Sequence, residues 1–219
     1  MAVLLVLAGC GGDVSTLDPA GPSATSIAMM WSVMLIGATF ITIVVLSLLA
    51  LGFRRSVVPR RIPESLWLGY GAIGIVSVAL IALLIYGFLV GGGQRPIGGP
   101  ATTIRATAQQ WHWHFSYEAR APTGAVLVMP VGHPVTVEVT ATDVIHGFWI
   151  PRLGGKVDAI PGHVNRLRLQ ADRPGRFVGL CAEFCGTGHR DHSFTAIALS
   201  PADWRAFMDG ASLEALGHD

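Results

Sequence analysis

The sequence is short of charge. Asp, Glu, Lys and Arg make up 13% of its 219 residues, against roughly 25% in soluble domains, which excludes an ordinary soluble domain. It has three cysteines and no Cys-x-x-Cys-His motif, so these residues attach no c-type haem. From Pro96 onward, ten basic residues stand against eleven acidic ones. Because these charges nearly balance, they do not indicate a binding partner for this region.

The missing charges define two long apolar runs. Ile27–Phe53 carries no charged residue over 27 positions, and Ser65–Val90 carries none over 26. A bilayer core about 30 Å thick needs about 20 helical residues to cross it. A pair of buried core helices would need only about 10–14 residues each. The runs therefore predict a transmembrane helical hairpin.

A short basic loop joins the two runs. It contains Arg54, Arg55, Arg60 and Arg61, and positive charge in a short loop marks the cytoplasmic side of a membrane. Both chain ends are then expected outside, on the periplasmic face of a bacterial inner membrane. The loop needs no nucleic acid to explain its charge.

The N-terminal segment MAVLLVLAGC resembles the end of a bacterial lipoprotein signal. Its Cys10 would then become the lipidated first residue. The alternative is an uncleaved apolar leader with an incidental cysteine. Residues 11–24 are rich in Gly, Pro, Ser and Asp and are typical of a linker.

Short runs bounded by Gly and Pro follow the second apolar run, and they predict β-strands. The runs are ATTIRATAQQWHWHFSYEA, AVLVMPVG, PVTVEVTAT, VNRLRLQA, GRFVGLC and FTAIALS. Strands without helical crossovers predict an all-β sandwich or barrel. A short C-terminal helix is expected after Ser200 and Pro201.

The stretch CAEFCGTGHRDH concentrates metal-binding chemistry. Cys181, Cys185, His189 and His192 lie within twelve residues. A disulfide or a pair of structural cysteines would use the sulfurs but would leave the histidines unexplained. Thiolate with imidazole suits copper, zinc or iron. The spacing alone leaves copper and zinc undecided.

Three separated elements together resemble subunit II of haem-copper cytochrome c oxidases, which carries the binuclear copper centre CuA. Residues 181–189 resemble the motif Cys-x-Glu-x-Cys-x-x-x-His-x-x-Met. The segment TDVIHGFWIPRLGGKVDAIPG resembles the family's upstream segment, and QQWHWHFSYEA resembles its aromatic stretch. Glu64, three residues before Trp67, resembles the start of the family's second helix.

The resemblance implies a role for each matching residue. Cys181 and Cys185 would bridge two copper ions, and His146 and His189 would each bind one. Glu183 would offer its backbone carbonyl to copper and its carboxylate to a magnesium ion at the boundary with subunit I.

The resemblance also implies roles in electron and proton transfer. Trp111 would receive electrons from cytochrome c, and Asp143 and Asp158 would lie near that docking face. Glu64 would stand at the entrance of a proton path into subunit I. The alternative for Glu64 is a simple surface anchor at a helix end.

The implied architecture is a two-helix transmembrane hairpin followed by an all-β cupredoxin-like sandwich or barrel and a short C-terminal helix. The expected divisions are a leader and linker over 1–23, a hairpin over 24–94, a CuA domain over 95–204 and a helical tail over 205–219. The expected partners are oxidase subunits I and III, cytochrome c and the lipid bilayer.

The chain departs from the family pattern at several histidines. His192 stands where the family has methionine, and it is expected either to bind copper and lower the potential or to leave the axial position vacant. The alternative is a surface histidine. His163 replaces an arginine, which puts the usual pairing with haem propionates in doubt. His112 and His114 are expected on the surface.

The resemblance implies an electron-transfer subunit that passes electrons from cytochrome c to haem in subunit I and reduces no oxygen alone. The alternative is subunit II of a quinol oxidase with a copper-free or altered site, but loss of copper should remove the cysteines, and both remain. A copper-delivery protein is disfavoured by the hairpin with Glu64. A nitrous oxide reductase would need a much longer chain, and a nitric oxide reductase stays open.

Overall fold

The computed structural model describes residues 11–53, 63–92, 102–118 and 122–218. They fall into two compact units. One comprises residues up to Ala28 together with Gln94–Asp219, and the other comprises Met29–Gly93. The predicted lipidation site Cys10 and the basic loop lie outside the described residues.

Two helical segments contain the charge-free runs. Helix α1 spans Pro22–Phe53. The second segment begins as Glu64–Leu66 (α2), continues as a π-helix over Trp67–Ile75 and returns to α-helix over Val76–Gly92 (α3). Both segments are long and apolar enough to cross a membrane, as predicted. Their apolar side chains are largely exposed, and such surfaces suit lipid or another protein rather than water.

The predicted strands form the other unit. The described residues contain nine strands: β1 Thr102–Gln109, β2 His112–Tyr117, β3 Val126–Pro130, β4 Val135–Ala141, β5 His146–Trp149, β6 Val157–Ala159, β7 Asn165–Leu169, β8 Gly175–Cys181 and β9 Ser193–Leu199. One sheet has the order β2-β1-β4-β7 and the other has the order β3-β9-β8-β5-β6. Strands β1 and β4 pair in parallel, as do β3 and β9.

The alternation of residues decides which side chains form the core. In β4, Val135, Val137 and Val139 are buried while the intervening residues are partly exposed, because successive strand side chains point to opposite faces. Aromatic rings fill the space near the end of the domain that carries His146 and Cys181. The Phe194 ring lies 5.0 Å from that of Phe148 and 5.4 Å from that of Trp113.

The segment before α1 packs on the β domain. Ala20 is 4% exposed, and its N–H donates to the carbonyl of Arg152 at 2.7 Å. The Arg152 guanidinium pairs with Asp18 at 2.6 Å. After the last strand, helix α4 spans Pro201–Met208 and is capped by Ser200, as predicted.

Replacement of Gly179 by alanine tests the packing of the sheet that carries Cys181. A Cβ at this position would collide with the ring of Phe194 on β9. We expect Gly179→Ala to lower the free energy of unfolding by about 1–3 kcal/mol. The exposed Val164→Ala is the control and should change it by less than about 0.5 kcal/mol. Guanidinium unfolding of the full chain in detergent, followed by tryptophan fluorescence, measures both. Equal stability of Gly179→Ala and the wild type would contradict this packing.

Candidate metal centre

Two neighbouring strands and one loop position the candidate ligands. His146 begins β5 and Cys181 ends β8, and these strands pair with Phe148 opposite Cys181. The N–H of Ala182 donates to the carbonyl of Gly147 at 2.8 Å. A Cβ at Gly147 would lie 2.8 Å from the Glu183 nitrogen, so this close approach requires glycine. The pairing brings His146 against the cysteine loop.

The two sulfurs are close but not bonded. Cys181 and Cys185 are free thiols, and their Sγ atoms are 3.7 Å apart. A disulfide would need about 2.05 Å. Both cysteines are buried. Two unpaired thiols in contact inside the protein suit joint binding of a metal.

Three imidazole rings turn Nδ1 toward these sulfurs. His146 Nδ1 is 3.9 Å from Cys181 Sγ. His189 Nδ1 and His192 Nδ1 are each 3.7 Å from Cys185 Sγ. The donor atoms of His146, the two cysteines and His192 all lie within 4.8 Å of one another. The donor chemistry fits copper or zinc.

The backbone and the side chain of Glu183 lie in different environments. Its backbone carbonyl oxygen is 3.2 Å from Cys181 Sγ, where it could serve as a further weak ligand. Its side chain is on the exposed surface, and none of the ion pairs found among the described residues involves it.

Asp143 determines which nitrogen of His146 is available. His146 Nε2 is 2.8 Å from Asp143 Oδ1. Desolvation would raise the pKa of Asp143, but hydrogen bonds with His146 and with the N–H groups of Gln110 and Val144 lower this pKa to about 2. The carboxylate is therefore ionised and accepts a hydrogen bond from the Nε2–H group of His146. This assignment leaves the Nδ1 lone pair of His146 facing the sulfurs.

Burial keeps the Cys185 thiol protonated until a cation replaces its proton. Burial, together with the neighbouring Cys181, raises the pKa of the Cys185 thiol to about 12. The metal-free Cys185 thiol therefore stays protonated at neutral pH. A bound metal must displace thiol protons, which couples metal binding to proton release.

His192 is buried rather than on the surface. It is 1% exposed, and its ring stacks on Trp113 at 5.2 Å and 26°. Burial lowers the pKa of His192 to about 4, against a smaller opposing effect of the His112 main chain. The ring is therefore neutral, and its Nδ1 lies 3.2 Å from His146 Nδ1 and 3.7 Å from Cys185 Sγ, within reach of a metal held by the cluster.

Trp111 connects the cluster with the surface. Its side chain is exposed, and its Nε1–H donates to the Cys185 carbonyl at 3.3 Å. The same carbonyl accepts from Gln110 Nε2 at 2.6 Å. A Cβ at Gly188 would collide with the Trp111 ring, so the loop lies directly against the indole.

The remaining sequence candidates are not members of the donor group. Glu64 begins α2 in the other unit and is exposed, and Asp158 and His163 are exposed in the β domain. The rings of His112 and His114 are exposed, as expected, and lie 4.7 Å apart.

Sequence reasoning missed two supporting residues. It assigned Asp143 to a docking face, whereas the structure pairs it with His146. The three-residue spacing between them was the available signal. Gln110 was not identified, although its N–H donates to Asp143 at 2.7 Å while its amide contacts the cysteine loop.

The two sheets and the buried His/Cys/Cys/His cluster define a cupredoxin-like domain with a metal-binding site. A model of the periplasmic domain of cytochrome c oxidase subunit II matches residues 119–201. The crystal structure of the periplasmic domain of cytochrome oxidase subunit II from Bradyrhizobium japonicum is similar, with a TM-score of 0.50 and 29% identity. That similarity covers 52% of this chain and 96% of the other.

Full-length relatives extend the similarity through the helices. Cytochrome c oxidase subunit 2 of Alkalihalophilus pseudofirmus is 34% identical over 226 residues, which is 96% of this chain and 66% of the relative. The protein of the same name from Branchiostoma floridae is 34% identical over 66% of this chain and 69% of its own length. The chain thus spans about two thirds of the length of these relatives. It belongs to the cytochrome c oxidase subunit II family.

Asp143 should hold His146 in its binding orientation. We expect Asp143→Asn to weaken copper binding by about 10–100-fold, the usual effect of removing a carboxylate that orients a metal-binding histidine. Competition with a chelator of known copper affinity measures this change. Asp158→Asn removes another exposed carboxylate of the same domain and should leave the affinity unchanged. Equal losses in both variants would contradict a specific role of the Asp143–His146 pair.

Proposed function

We propose that this chain is the electron-accepting subunit of a respiratory haem-copper oxidase. It takes electrons from cytochrome c and passes them toward haem in subunit I, which reduces oxygen. The observation that carries the proposal is the pair of buried, unbonded sulfurs 3.7 Å apart, surrounded by three imidazoles. Relatives named cytochrome c oxidase subunit 2 support it.

The proposed cofactor is a binuclear copper centre. Cys181 and Cys185 would hold both ions, His146 and His189 would bind one each, and the Glu183 carbonyl and His192 would complete the set. When bound, the copper pair supplies a one-electron carrier. The exposed Glu183 carboxylate is the proposed contact to magnesium at the boundary with subunit I.

The protein residues hold this site rigid and dry. His146 is fully buried and is fixed by Asp143, while His192 is wedged against Trp113. A scaffold that keeps ligand positions fixed suits electron transfer, because little reorganisation then accompanies the change of charge. Burial and hydrogen bonds near the sulfurs tune the potential.

The exposed Trp111 is the proposed point of electron input from cytochrome c. Its ring lies between the surface and the main chain of Cys185, with one hydrogen bond to that carbonyl. Asp143 and Asp158 are the proposed acidic contacts nearby. The chain itself carries no haem-attachment motif.

The two apolar helical segments support a two-pass protein whose β domain lies on the periplasmic side of a bacterial inner membrane. The hairpin, with Glu64 at the start of α2, is the proposed contact to subunit I and its proton path. Subunit III is the other proposed partner, and the proposed divisions remain residues 1–23, 24–94, 95–204 and 205–219. A copper-free quinol oxidase subunit is disfavoured because both cysteines remain.

Copper loading of the full chain tests the proposal. We expect about two copper ions per chain and an electron paramagnetic resonance spectrum with seven copper lines, because one unpaired electron shared between two copper nuclei interacts equally with both. Cys181→Ser should abolish this spectrum, whereas Cys10→Ser should leave it unchanged. A spectrum with the four lines of isolated copper would contradict the proposal.

Replacement of Trp111 tests the route of electron input. We expect Trp111→Phe to slow reduction by cytochrome c by about tenfold or more, because phenylalanine loses the hydrogen bond to Cys185 and part of the exposed ring. The copper spectrum should be retained. Stopped-flow absorption of the copper-loaded chain measures the rate, with Trp204→Phe on α4 as the control. An unchanged rate in Trp111→Phe would mean that electrons from cytochrome c enter through another residue.

A further inference from the structure

We infer that His146, Cys181, Cys185 and His192 form a complete tetrahedral site for one divalent ion of the zinc type. This site lies within the proposed copper centre and shares both sulfurs with it. The inference rests on the same cluster as the proposed function, but it requires no copper. It follows from the position of His192, where the family motif places a methionine.

The spacing of the four donors matches a single tetrahedral ion. Zinc binds sulfur at about 2.3 Å and imidazole nitrogen at about 2.0–2.1 Å, so the edges of a regular tetrahedron are about 3.8 Å between sulfurs and about 3.3 Å between nitrogens. The observed distances are 3.7 Å between the Cys181 and Cys185 sulfurs and 3.2 Å between the Nδ1 atoms of His146 and His192.

Two of the four sulfur–nitrogen distances are close to the same geometry. A sulfur–nitrogen edge should be about 3.6 Å. The Cys185–His192 distance is 3.7 Å and the Cys181–His146 distance is 3.9 Å, and every donor pair in the group is within 4.8 Å. The remaining donor pairs lie within 4.8 Å, so an ion at the centre would draw them closer to reach all four donors.

His189 stands outside this group of four. It approaches Cys185 at 3.7 Å but is not among the mutually close donors. A single tetrahedral ion therefore needs His192 and not His189. The proposed copper pair has the opposite requirement, because His189 holds its second ion.

The chemistry of the four donors favours zinc. Two cysteines and two histidines are a usual ligand set of closed structural zinc sites, and a thioether in place of His192 would be a much weaker ligand. Two thiolates would neutralise a divalent ion, which a buried site requires. All four residues are buried, so no coordination position is left for solvent.

The two metal states exclude each other because they share both sulfurs. A zinc ion bound by all four donors would occupy the thiolates and the Nδ1 atoms that copper loading needs. Divalent zinc-type ions should therefore compete with assembly of the copper pair in this chain. In a relative with methionine at this position, that competition should be weaker.

Cobalt titration of the metal-free full chain in detergent tests the inference, because Co²⁺ in a tetrahedral thiolate site absorbs visible light. We expect one Co²⁺ per chain, displaced by Zn²⁺. His192→Met should weaken Co²⁺ binding by about 10–100-fold or more. His189→Ala should bind Co²⁺ within about twofold of the wild type, since it removes no donor of the site.

Copper loading of the same variants provides the reciprocal measurement. His192→Met should keep the copper pair, whereas His189→Ala should lose it. If His192→Met fails to fold by circular dichroism, His192→Gln replaces it in the cobalt titration. Loss of Co²⁺ binding in His189→Ala but not in the His192 variants would overturn the inference, as would absence of a tetrahedral cobalt spectrum in the wild type.

The outcomes separate this inference from the proposed function. A wild-type chain that binds one tetrahedral Co²⁺ but never forms a copper pair would support the inference and reject the proposed cofactor. A chain that forms the copper pair but gives no tetrahedral cobalt species would support the proposed cofactor and reject the inference.

Discussion

The contact between two buried thiols is the constraint on which the rest of the site depends. The Cys181 and Cys185 sulfurs are 3.7 Å apart, buried and unbonded. Burial raises the pKa of Cys185 to about 12, so at neutral pH this thiol ionises only when a cation replaces its proton. The pairing of β5 with β8 and the glycine at position 147 hold His146 against these sulfurs. The folded chain thus presents donors that are already gathered, which lowers the cost of ordering them around a metal.

The surroundings of the cluster differ between its two sides. His192 and Trp113 close the interior side with stacked rings, while Trp111 covers the other side and remains exposed. Gln110 joins these parts, because it donates to both Asp143 and the Cys185 carbonyl. A protected interior with the Trp111 ring toward solvent suits a member of the cytochrome c oxidase subunit II family, for which we propose transfer of electrons between a soluble donor and a membrane partner.

Much of this architecture follows from local sequence patterns. Charge-free runs predicted the helices, and the alternation of Val135, Val137 and Val139 predicted a strand of a two-sheet domain. Strands β5 and β6 are too short, at four and three residues, to give such a pattern. The Asp143–His146 pair and the burial of His192 depend on how a turn and the Trp113 ring fold over the loop. Local patterns do not contain those long-range contacts, so the sequence assigned His192 to the copper site while a surface position stayed open as the alternative.

X-ray absorption at the copper edge of the loaded chain tests the central claim, joint binding of two ions by both sulfurs, most directly. Sulfurs 3.7 Å apart and metal–sulfur bonds of about 2.3 Å place two bridged ions about 2.7 Å from each other. We expect scattering from sulfur at about 2.3 Å from copper and scattering from a second copper ion at about 2.7 Å. Sulfur scattering without any copper neighbour would contradict a shared pair.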